Sequence, residues 1–339
     1  MGTRTAGVHR RGFFCFRSPT MNQPTPDVPE EAELAEDEAP ACVMVFNASD
    51  PSGAGGLAAD AVTVASVGGH ALTVATGAYA RDSARIFDHF ALDEEAVAEQ
   101  ARAVLEDIEV DVIKVGFVGT PENVSTIAEI AADYEDIPLV AYMPDLSWWA
   151  EDDIEAYLDA FRELLLPQTT LLVGNHSTLW RWLLPDWSHT RSPTPRDIAK
   201  AAAETGVPYT LVTGVPLPEQ FVENVLVSPQ AVLGSGKFEL FDAVFSGAGD
   251  TLSAALAALL ANGKDLGEAT SEALHYLDRC LDAGFRPGMG NVLPDRMFWA
   301  QGDPDDDEHD EDDEIDPAVA DPERQALEGF VMPPRDTQH

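Results

Sequence analysis

The sequence predicts an α/β fold, a three-layer α/β/α sandwich in which a mainly parallel sheet lies between two layers of helices. From Cys42 onward, short apolar runs alternate with longer amphipathic segments. This alternation is typical of parallel strands joined by crossover helices. The apolar runs are nearly continuous rather than interrupted by polar residues, which indicates strands that are buried on both faces.

The predicted elements follow one another along residues 41–300, which we expect to form one domain. Apolar runs predict parallel strands at 42–46, 71–76, 110–118, 137–143, 170–174 and 209–214. Helical periodicity predicts helices between them at 56–67, 93–108, 121–134, 152–166 and 195–205. The next two runs flank turn residues and predict an antiparallel pair at a sheet edge, at 221–228 and 237–244. Two further helices follow "SGAGD".

Both ends of the chain, residues 1–40 and 301–339, are predicted to be disordered extensions. The net charge is -40, from 60 acidic and 20 basic residues. Residues 27–38 hold 7 acids and residues 303–316 hold 11, a composition that keeps a segment solvated. Met21 follows a basic and poorly apolar start, and we interpret it as the first translated residue.

Composition also limits the expected partners and compartment. A strongly acidic surface repels nucleic-acid phosphates and anionic lipids, so we expect neither nucleic acid nor membrane as a partner. The sequence contains no run of about 18 apolar residues, which argues against a membrane-spanning helix. Three cysteines, Cys15, Cys42 and Cys280, form no motif. They favour a reducing cytoplasm over a disulfide framework.

The stretch "SGAGD", Ser246 to Asp250, carries the sharpest chemical signal. Gly247 and Gly249 let the chain turn into a helix whose first N–H groups, including that of Ala248, lack helical partners and can bind an anion. A carboxylate at Asp250 can accept a proton from a hydroxyl while this anion hole stabilises a transferred phosphoryl group. The motif favours a small-molecule kinase, although a simple helix-capping acid would give the same letters.

A second glycine-rich stretch, "NASDPSGAGGLAAD" at residues 47–60, extends this interpretation. It is followed in order by "IKVGFVG", "LLLPQTTLLVGN", "LVTG", "SGAGDTLSAALAALL" and "GMGNVLP". Together these motifs resemble the hydroxymethylpyrimidine and phosphomethylpyrimidine kinases of thiamine biosynthesis, within the ribokinase superfamily, over residues 42–294. The resemblance implies a ribokinase-like fold, ATP and Mg²⁺, a small-molecule pyrimidine substrate and a homodimer.

The resemblance also implies roles for individual residues. Asp250 matches the catalytic base, beside the anion hole at Gly247, Ala248 and Gly249. The positions that match the family's pyrimidine pocket are Gly53, Gly55, Gly56 and Asp60. The positions that match its nucleotide contacts are Asn175, Thr213 and Gly214. Each match has a structural alternative, such as a solvent-facing helix acid at Asp60 or a turn former at Asn175.

Departures from the family pattern leave the substrate and the metal open. Arg81, in "YARD", stands where the family has a glutamine that contacts the pyrimidine edge, and arginine only donates hydrogen bonds. The family's "NxxE" glutamate is replaced by Thr178, and its strand-end aspartate falls at about Tyr142. Asp145 is the candidate that replaces these acids near magnesium. Asp250 itself stands where many pyrimidine kinases carry cysteine, as in sugar and pyridoxal kinases.

Three further residues have two interpretations each. Lys114 lies within an apolar run, and we expect it to point to a strand end or to pair with an acid rather than contact nucleotide. Trp148 and Trp149 follow a strand end, where they either close over a ring or pack in the core.

We therefore expect an ATP-dependent phosphotransferase with an alcohol group as acceptor, acting on hydroxymethylpyrimidine, with its monophosphate open as a second acceptor. Pyridoxal or pyridoxine kinase is a neighbouring alternative, which Arg81 keeps open. A third alternative, of a different class, is a degenerate relative that binds a pyrimidine or nucleotide without turnover. The missing glutamate and the altered "YARD" motivate it.

Overall fold

A computed structural model describes residues 39–300. The predicted N-terminal extension, apart from residues 39 and 40, the predicted C-terminal extension and Met21 lie outside the described residues. The described part contains a nine-stranded sheet in the order β3-β2-β1-β4-β5-β6-β7-β8-β9. The strands are β1 Cys42–Ser49, β2 His70–Arg81, β3 Ile86–Ala91, β4 Val112–Val115, β5 Leu139–Met143, β6 Leu171–Asn175, β7 Tyr209–Leu217, β8 Phe221–Val227 and β9 Val232–Glu239.

The central part of the sheet is parallel, as predicted. Strands β2, β1, β4, β5, β6 and β7 pair in parallel, whereas β3 at one edge and the β8–β9 pair at the other are antiparallel. The chain leaves β1 for β2 on one side and later returns to place β4 on the other. In such sheets, ligands bind in the crevice at the carboxyl ends of the strands where the order reverses.

Helices cover both faces. They are α1 Gly56–Ser66, α2 Glu94–Leu105, α3 Pro121–Asp133, α4 Glu151–Ala160, α5 His176–Leu183, α6 Pro195–Ala203, α7 Ala248–Ala261 and α8 Leu266–Asp282. Along β1, Val43 and Val45 pack into the core formed with α1, α7 and α8, while Met44 and Phe46 pack into the core formed with α2 to α6. Both faces of the strand are apolar because each faces its own helical layer. No helix within residues 39–300 is long and apolar enough to cross a membrane.

Three elements differ from the sequence prediction. Strand β3 was not predicted, because its exposed Phe87 and Phe90 break the alternation of a half-buried strand. Helix α5 was missed since it has only eight residues. Strand β9 begins at Val232, within the segment interpreted as a turn, because antiparallel pairing with β8 starts directly after the tight connection.

Candidate active site

A cavity of about 370 Å³ opens at the carboxyl ends of the parallel strands, between the glycine loop (residues 50–56) and the start of α7. Its lining includes Gly55, Gly56, Arg81, Tyr142, Trp148 and Asp250. The two glycine-rich motifs, about 190 residues apart in sequence, therefore form opposite parts of one site. The crossover topology brings them together, because the glycine loop connects β1 to α1 and α7 packs beside α1.

The glycine loop is shaped by Asp50, a buried carboxylate that follows β1. Its Oδ1 accepts hydrogen bonds from the backbone N–H and the hydroxyl of Ser52, at 2.8 and 2.6 Å. Its Oδ2 accepts from the Gly55 N–H at 2.8 Å and from Arg81 Nη1 at 3.0 Å. Gly56 has a φ of 62°, and a Cβ there would collide with the Ala48 carbonyl oxygen. The backbone of this loop therefore turns tightly, and the two loop residues that line the cavity, Gly55 and Gly56, carry no side chains.

The second motif forms the N-terminus of α7. Gly247 is the N-cap, with a φ of 86° that favours glycine, and a Cβ there would collide with the Ala54 carbonyl oxygen. The first N–H groups of a helix have no partner within it, and the helix dipole places positive charge at this end. The start of α7 thus lies directly against the glycine loop. Its first N–H groups are the ones that the sequence predicts to bind an anion.

Asp250 lies in the first turn of α7, within a buried polar network. Its Oδ1 accepts from Asn47 Nδ2 at 2.9 Å and from Lys114 Nζ at 3.2 Å. Its Oδ2 accepts from the Gly56 N–H at 3.3 Å. Asp60 accepts from the same two side chains, from Lys114 at 2.7 and 2.9 Å and from Asn47 at 2.8 Å. One lysine and one amide therefore hold two carboxylates side by side, with Asp250 the one that reaches the cavity.

The charges of this network set its protonation. Burial alone would raise the pKa of Asp250, but the Lys114 charge and hydrogen bonds from Asn47 and Gly56 outweigh it, so the pKa lies below its usual value. Burial raises the pKa of Asp60 to about 6, against the opposing effect of Lys114. Burial lowers the pKa of Lys114, but the two aspartates raise it more, so the net shift is upward. At pH 7, Asp250 is an ionised carboxylate next to a protonated lysine.

The structure separates the residues that the sequence assigned to the acceptor pocket. Gly55, Gly56 and Arg81 line the cavity. Asp60 lies beneath it, fully buried in its ion pair with Lys114, rather than in its wall. Gly53, in the middle of the loop, does not line the cavity, and its carbonyl accepts from Arg296.

The residues assigned to the nucleotide lie at the ends of β6 and β7, next to one another. Asn175 pairs in register with Thr213. The Asn175 side chain caps α5 through the Ser177 N–H at 2.9 Å, and the Gly214 N–H donates to Asn224 Oδ1 at 2.9 Å. Asn224 in turn lines a cavity of about 210 Å³ between β8, β9 and α8. A further cavity of about 180 Å³, on the other side of Asn224, extends to Ala248 at the start of α7.

Asp145 lies at the rim of the main cavity, about 61% exposed. Its Oδ1 accepts from the Ser147 N–H at 3.0 Å and lies 3.7 Å from Arg181. Thr178 and Arg181 line a neighbouring cavity with it. Among residues 39–300, no cluster of three or more His, Cys, Asp or Glu side chains is placed to hold a metal ion.

Sequence reasoning missed several residues of the site. Asn47 joins the two aspartates, and its only signal was its place as the first residue of the stretch "NASDPSGAGGLAAD". Tyr142 lines the cavity so close to α7 that a Cβ at Gly249 would collide with its hydroxyl. Arg296 follows the last recognised motif, and it gave no signal at all. Lys114 does pair with acids, as expected, but with both aspartates at once.

The two tryptophans take different positions. Trp148 lines the cavity, while Trp149 stacks beside it at 5.8 Å between ring centroids and packs edge-on against Phe117 and Tyr157. The packing interpretation holds for both residues, since Trp148 also packs edge-on against Tyr79 and Phe117. Closure over a ring stays a prediction for Trp148.

Comparison with known proteins gives consistent matches. Residues 50–295 match the family model described as phosphomethylpyrimidine kinase. The hydroxymethylpyrimidine/phosphomethylpyrimidine kinase of Streptomyces coelicolor is 29% identical over 287 residues, which cover 83% of this chain and 100% of that protein. The fold is similar to an ADP complex of Bacillus subtilis pyridoxal kinase, with a TM-score of 0.69, 22% identity, and coverage of 78% of this chain and 100% of that one. It is also similar to phosphomethylpyrimidine kinase from Clostridium difficile, with a TM-score of 0.57, 23% identity, and coverage of 70% and 97%.

Proposed function

This chain belongs to the phosphomethylpyrimidine kinase family, and we propose that it transfers the γ-phosphoryl group of ATP to the hydroxymethyl group of hydroxymethylpyrimidine, in thiamine biosynthesis. The observation that carries the proposal is the position of Asp250. Its ionised carboxylate lines one cavity together with Gly247, the N-cap of α7, and with the glycine backbone at Gly55 and Gly56. A flat ring can lie on that backbone with its hydroxymethyl group toward Asp250.

The reaction needs few protein groups. Asp250 accepts the proton of the substrate hydroxyl while the hydroxyl oxygen forms a bond to the γ-phosphorus of ATP. The bond between that phosphorus and the oxygen that bridges it to the β-phosphorus breaks, and ADP is released. The N–H groups of Ala248, Gly249 and Asp250 stabilise the charge on the transferring phosphoryl oxygens. Lys114 and Asn47 orient the base from below. The monophosphate of the same pyrimidine is the second acceptor, with a phosphate oxygen as the attacking atom.

The nucleotide is proposed to lie along β7, β8 and α8. The cavity that reaches Ala248 is largely apolar, with Phe238 and Leu274 in its wall, and suits an adenine ring. Asn224 lies between this cavity and the turn at Gly214. The phosphates would then run from this region toward α7, with Asn175 and Thr213 on their other side.

The available donors fit a magnesium ion that arrives with the nucleotide. Mg²⁺ in kinases is held by one or two carboxylates together with substrate phosphates and waters. Asp145 is an exposed carboxylate at the rim of the cavity and would supply that single protein ligand. When bound, the ion would neutralise phosphate charge during transfer.

Arg81 favours a second candidate, a pyridoxal-type ring. Its Nη1 is committed to Asp50 at 3.0 Å and its Nε to the Asp82 carbonyl at 3.1 Å, while the side chain still lines the cavity. The remaining N–H groups can only donate, so they suit a ring that bears acceptor oxygens better than one that bears an amino group. The site also carries Arg85, a second cation. An acceptor-rich pyridine is therefore the alternative substrate to test.

A parallel assay tests these assignments. The purified chain with ATP and Mg²⁺ is offered hydroxymethylpyrimidine, its monophosphate, pyridoxal and pyridoxine, and ADP formation is followed with each. We expect the highest kcat/KM with a pyrimidine. A preference for pyridoxal would support the Arg81 argument instead. Binding of these rings without turnover of any would overturn both kinase assignments in favour of a binding protein. A cytoplasmic homodimer is proposed as its working state, on family resemblance alone.

A further inference from the structure

Arg296 is a buried guanidinium that joins the two halves of the site. It is about 7% exposed and lies in the segment after Val292 and Leu293, one residue beyond the family match. Its Nη1 donates to the Gly53 carbonyl at 3.1 Å and its Nη2 to the Ala54 carbonyl at 2.5 Å. Its Nε donates to Thr251 Oγ1 at 2.9 Å, in the first turn of α7. One planar group therefore binds the glycine loop and the anion-hole helix at the same time.

The position of Arg296 is itself fixed from outside the site. Its carbonyl oxygen accepts from Ser66 Oγ, at the end of α1, at 2.6 Å, and from the Tyr276 hydroxyl, on α8, at 2.8 Å. Thr251 Oγ1 donates onward to the Gly247 carbonyl at 2.8 Å. The guanidinium is thus anchored at its backbone and connected through Thr251 to the N-cap of α7.

The glycine loop and the start of α7 are in such close contact that neither can shift without moving the other. Gly247 approaches the Ala54 carbonyl so closely that a Cβ would collide with it, and that carbonyl is one of the Arg296 acceptors. On the other side of the same contact, Gly56 donates to Asp250. A shift of the glycine loop by one ångström would move the acceptor ring relative to both the base and the anion hole. Misplacement of this size costs a reaction about a hundredfold in rate.

We propose that Arg296 is a positioning residue for phosphoryl transfer, which sets the distance between the acceptor ring and the anion hole without contacting either substrate. This inference rests on the proposed function. It assigns a role in the reaction to a side chain that lies outside every recognised motif. The planar guanidinium donates to three acceptors, two on the glycine loop and one on α7. Lysine cannot replace it at all three, since its charge lies on a single nitrogen.

The test compares Arg296→Ala, Arg296→Lys and a control, Arg279→Ala. Arg279 lies on α8, and its guanidinium stacks over the Phe298 ring at 4.3 Å from the ring centroid. We expect Arg296→Ala to lower kcat about a hundredfold while the KM for ATP stays within about threefold of wild type. Added guanidinium ion at millimolar concentration should restore part of kcat in Arg296→Ala and none in the control. Arg296→Lys should fall between wild type and Arg296→Ala.

Several outcomes would overturn the proposal. A folded Arg296→Ala with wild-type kcat, or one whose loss guanidinium does not repair, leaves the arginine a structural residue only. If Arg296→Ala does not fold, Arg296→Lys carries the test, and a wild-type kcat in that variant refutes it. If wild type phosphorylates none of the rings, the proposed function fails separately. Hydrogen exchange at the Gly55 and Gly56 amides then decides: faster exchange in Arg296→Lys supports the bridge, and unchanged exchange refutes it.

Discussion

Replacing Lys114 by methionine would test the charge balance beneath the site. The Nζ of Lys114 lies 2.7 Å from Asp60 and 3.2 Å from Asp250, and the lysine side chain is fully buried. Methionine preserves much of the packing volume but removes the only cation that contacts both carboxylates within residues 39–300. Removing one partner of a buried ion pair costs about 3–5 kcal/mol of unfolding free energy. Because whole domains are stable by about 5–15 kcal/mol, the loss is large but survivable.

The pH dependence of the unfolding free energy follows from the ionisation of Asp60. Its pKa in the folded wild type, about 6, is above the unfolded value near 4, so its ionisation destabilises the fold as pH rises between them. Without Lys114 this pKa rises further, and the destabilised range extends to higher pH. We therefore expect the difference in unfolding free energy between wild type and Lys114→Met to grow from pH 5.5 to pH 8 in urea titrations.

Two further variants make this prediction sharp. Lys114→Met with Asp60→Asn removes one charge of each sign and should recover most of the lost stability. Lys264→Met, at a partly exposed surface lysine that contacts Glu272 at 2.6 Å, should cost less than about 1 kcal/mol. The reasoning is refuted if Lys114→Met is as stable as the Lys264→Met control, or if the double variant is no more stable than the single one.

Three other predictions concern single residues. In Arg81→Gln, we expect kcat/KM for hydroxymethylpyrimidine, divided by kcat/KM for pyridoxal, to rise by about 10-fold or more. The reason is that one charge-assisted hydrogen bond is worth about 1.5–3 kcal/mol. An unchanged ratio in competition assays contradicts this prediction. Gly247→Ala should destabilise the fold and abolish phosphoryl transfer. Gly263→Ala is the control, because Gly263 has a similar φ of 81° but open space around it, and it should lower the melting temperature only slightly. Equal effects of the two substitutions would refute the close contact between Gly247 and Ala54. Burial lowers the pKa of His89 to about 4, so stability is lost as pH falls from the unfolded value near 6.5 toward 4. His89→Phe should lose less stability than wild type between pH 7 and pH 5 by thermal unfolding, and an identical loss contradicts the assignment.

The parallel core was predictable because each of its strands is apolar on both faces. Residues such as Val43 and Met44 reach opposite helical layers, so their letters alone indicate full burial. Edge strand β3 was not predictable in the same way, since Phe87 and Phe90 are exposed while its polar residues are mixed among them. Its place in the sheet is decided by antiparallel pairing with β2, which depends on the turn between them.

The sequence predicted the glycine-rich motifs of the site but not the polar contacts that Asp250 makes with distant residues. "SGAGD" identified the helix N-terminus and Asp250 because glycines and a following helix are local signals. The partners of Asp250 are not local: Asn47 and Lys114 lie 203 and 136 residues away. For the same reason Asp60 was assigned to the pocket wall, although its side chain lies beneath the pocket with Lys114. Long-range polar contacts of this kind leave no periodic pattern in a sequence.

The central claim, that Asp250 is the base of a phosphoryl transfer, is tested most directly by the kcat of Asp250→Asn. The amide keeps the size of the side chain but cannot accept the proton. Glu268→Gln, which removes another first-turn helix acid at an exposed position on α8, is the matched control. The account predicts that kcat falls by at least about 100-fold in Asp250→Asn, with ATP binding retained, and is unchanged in the control. A folded Asp250→Asn that turns over at the wild-type rate would contradict it.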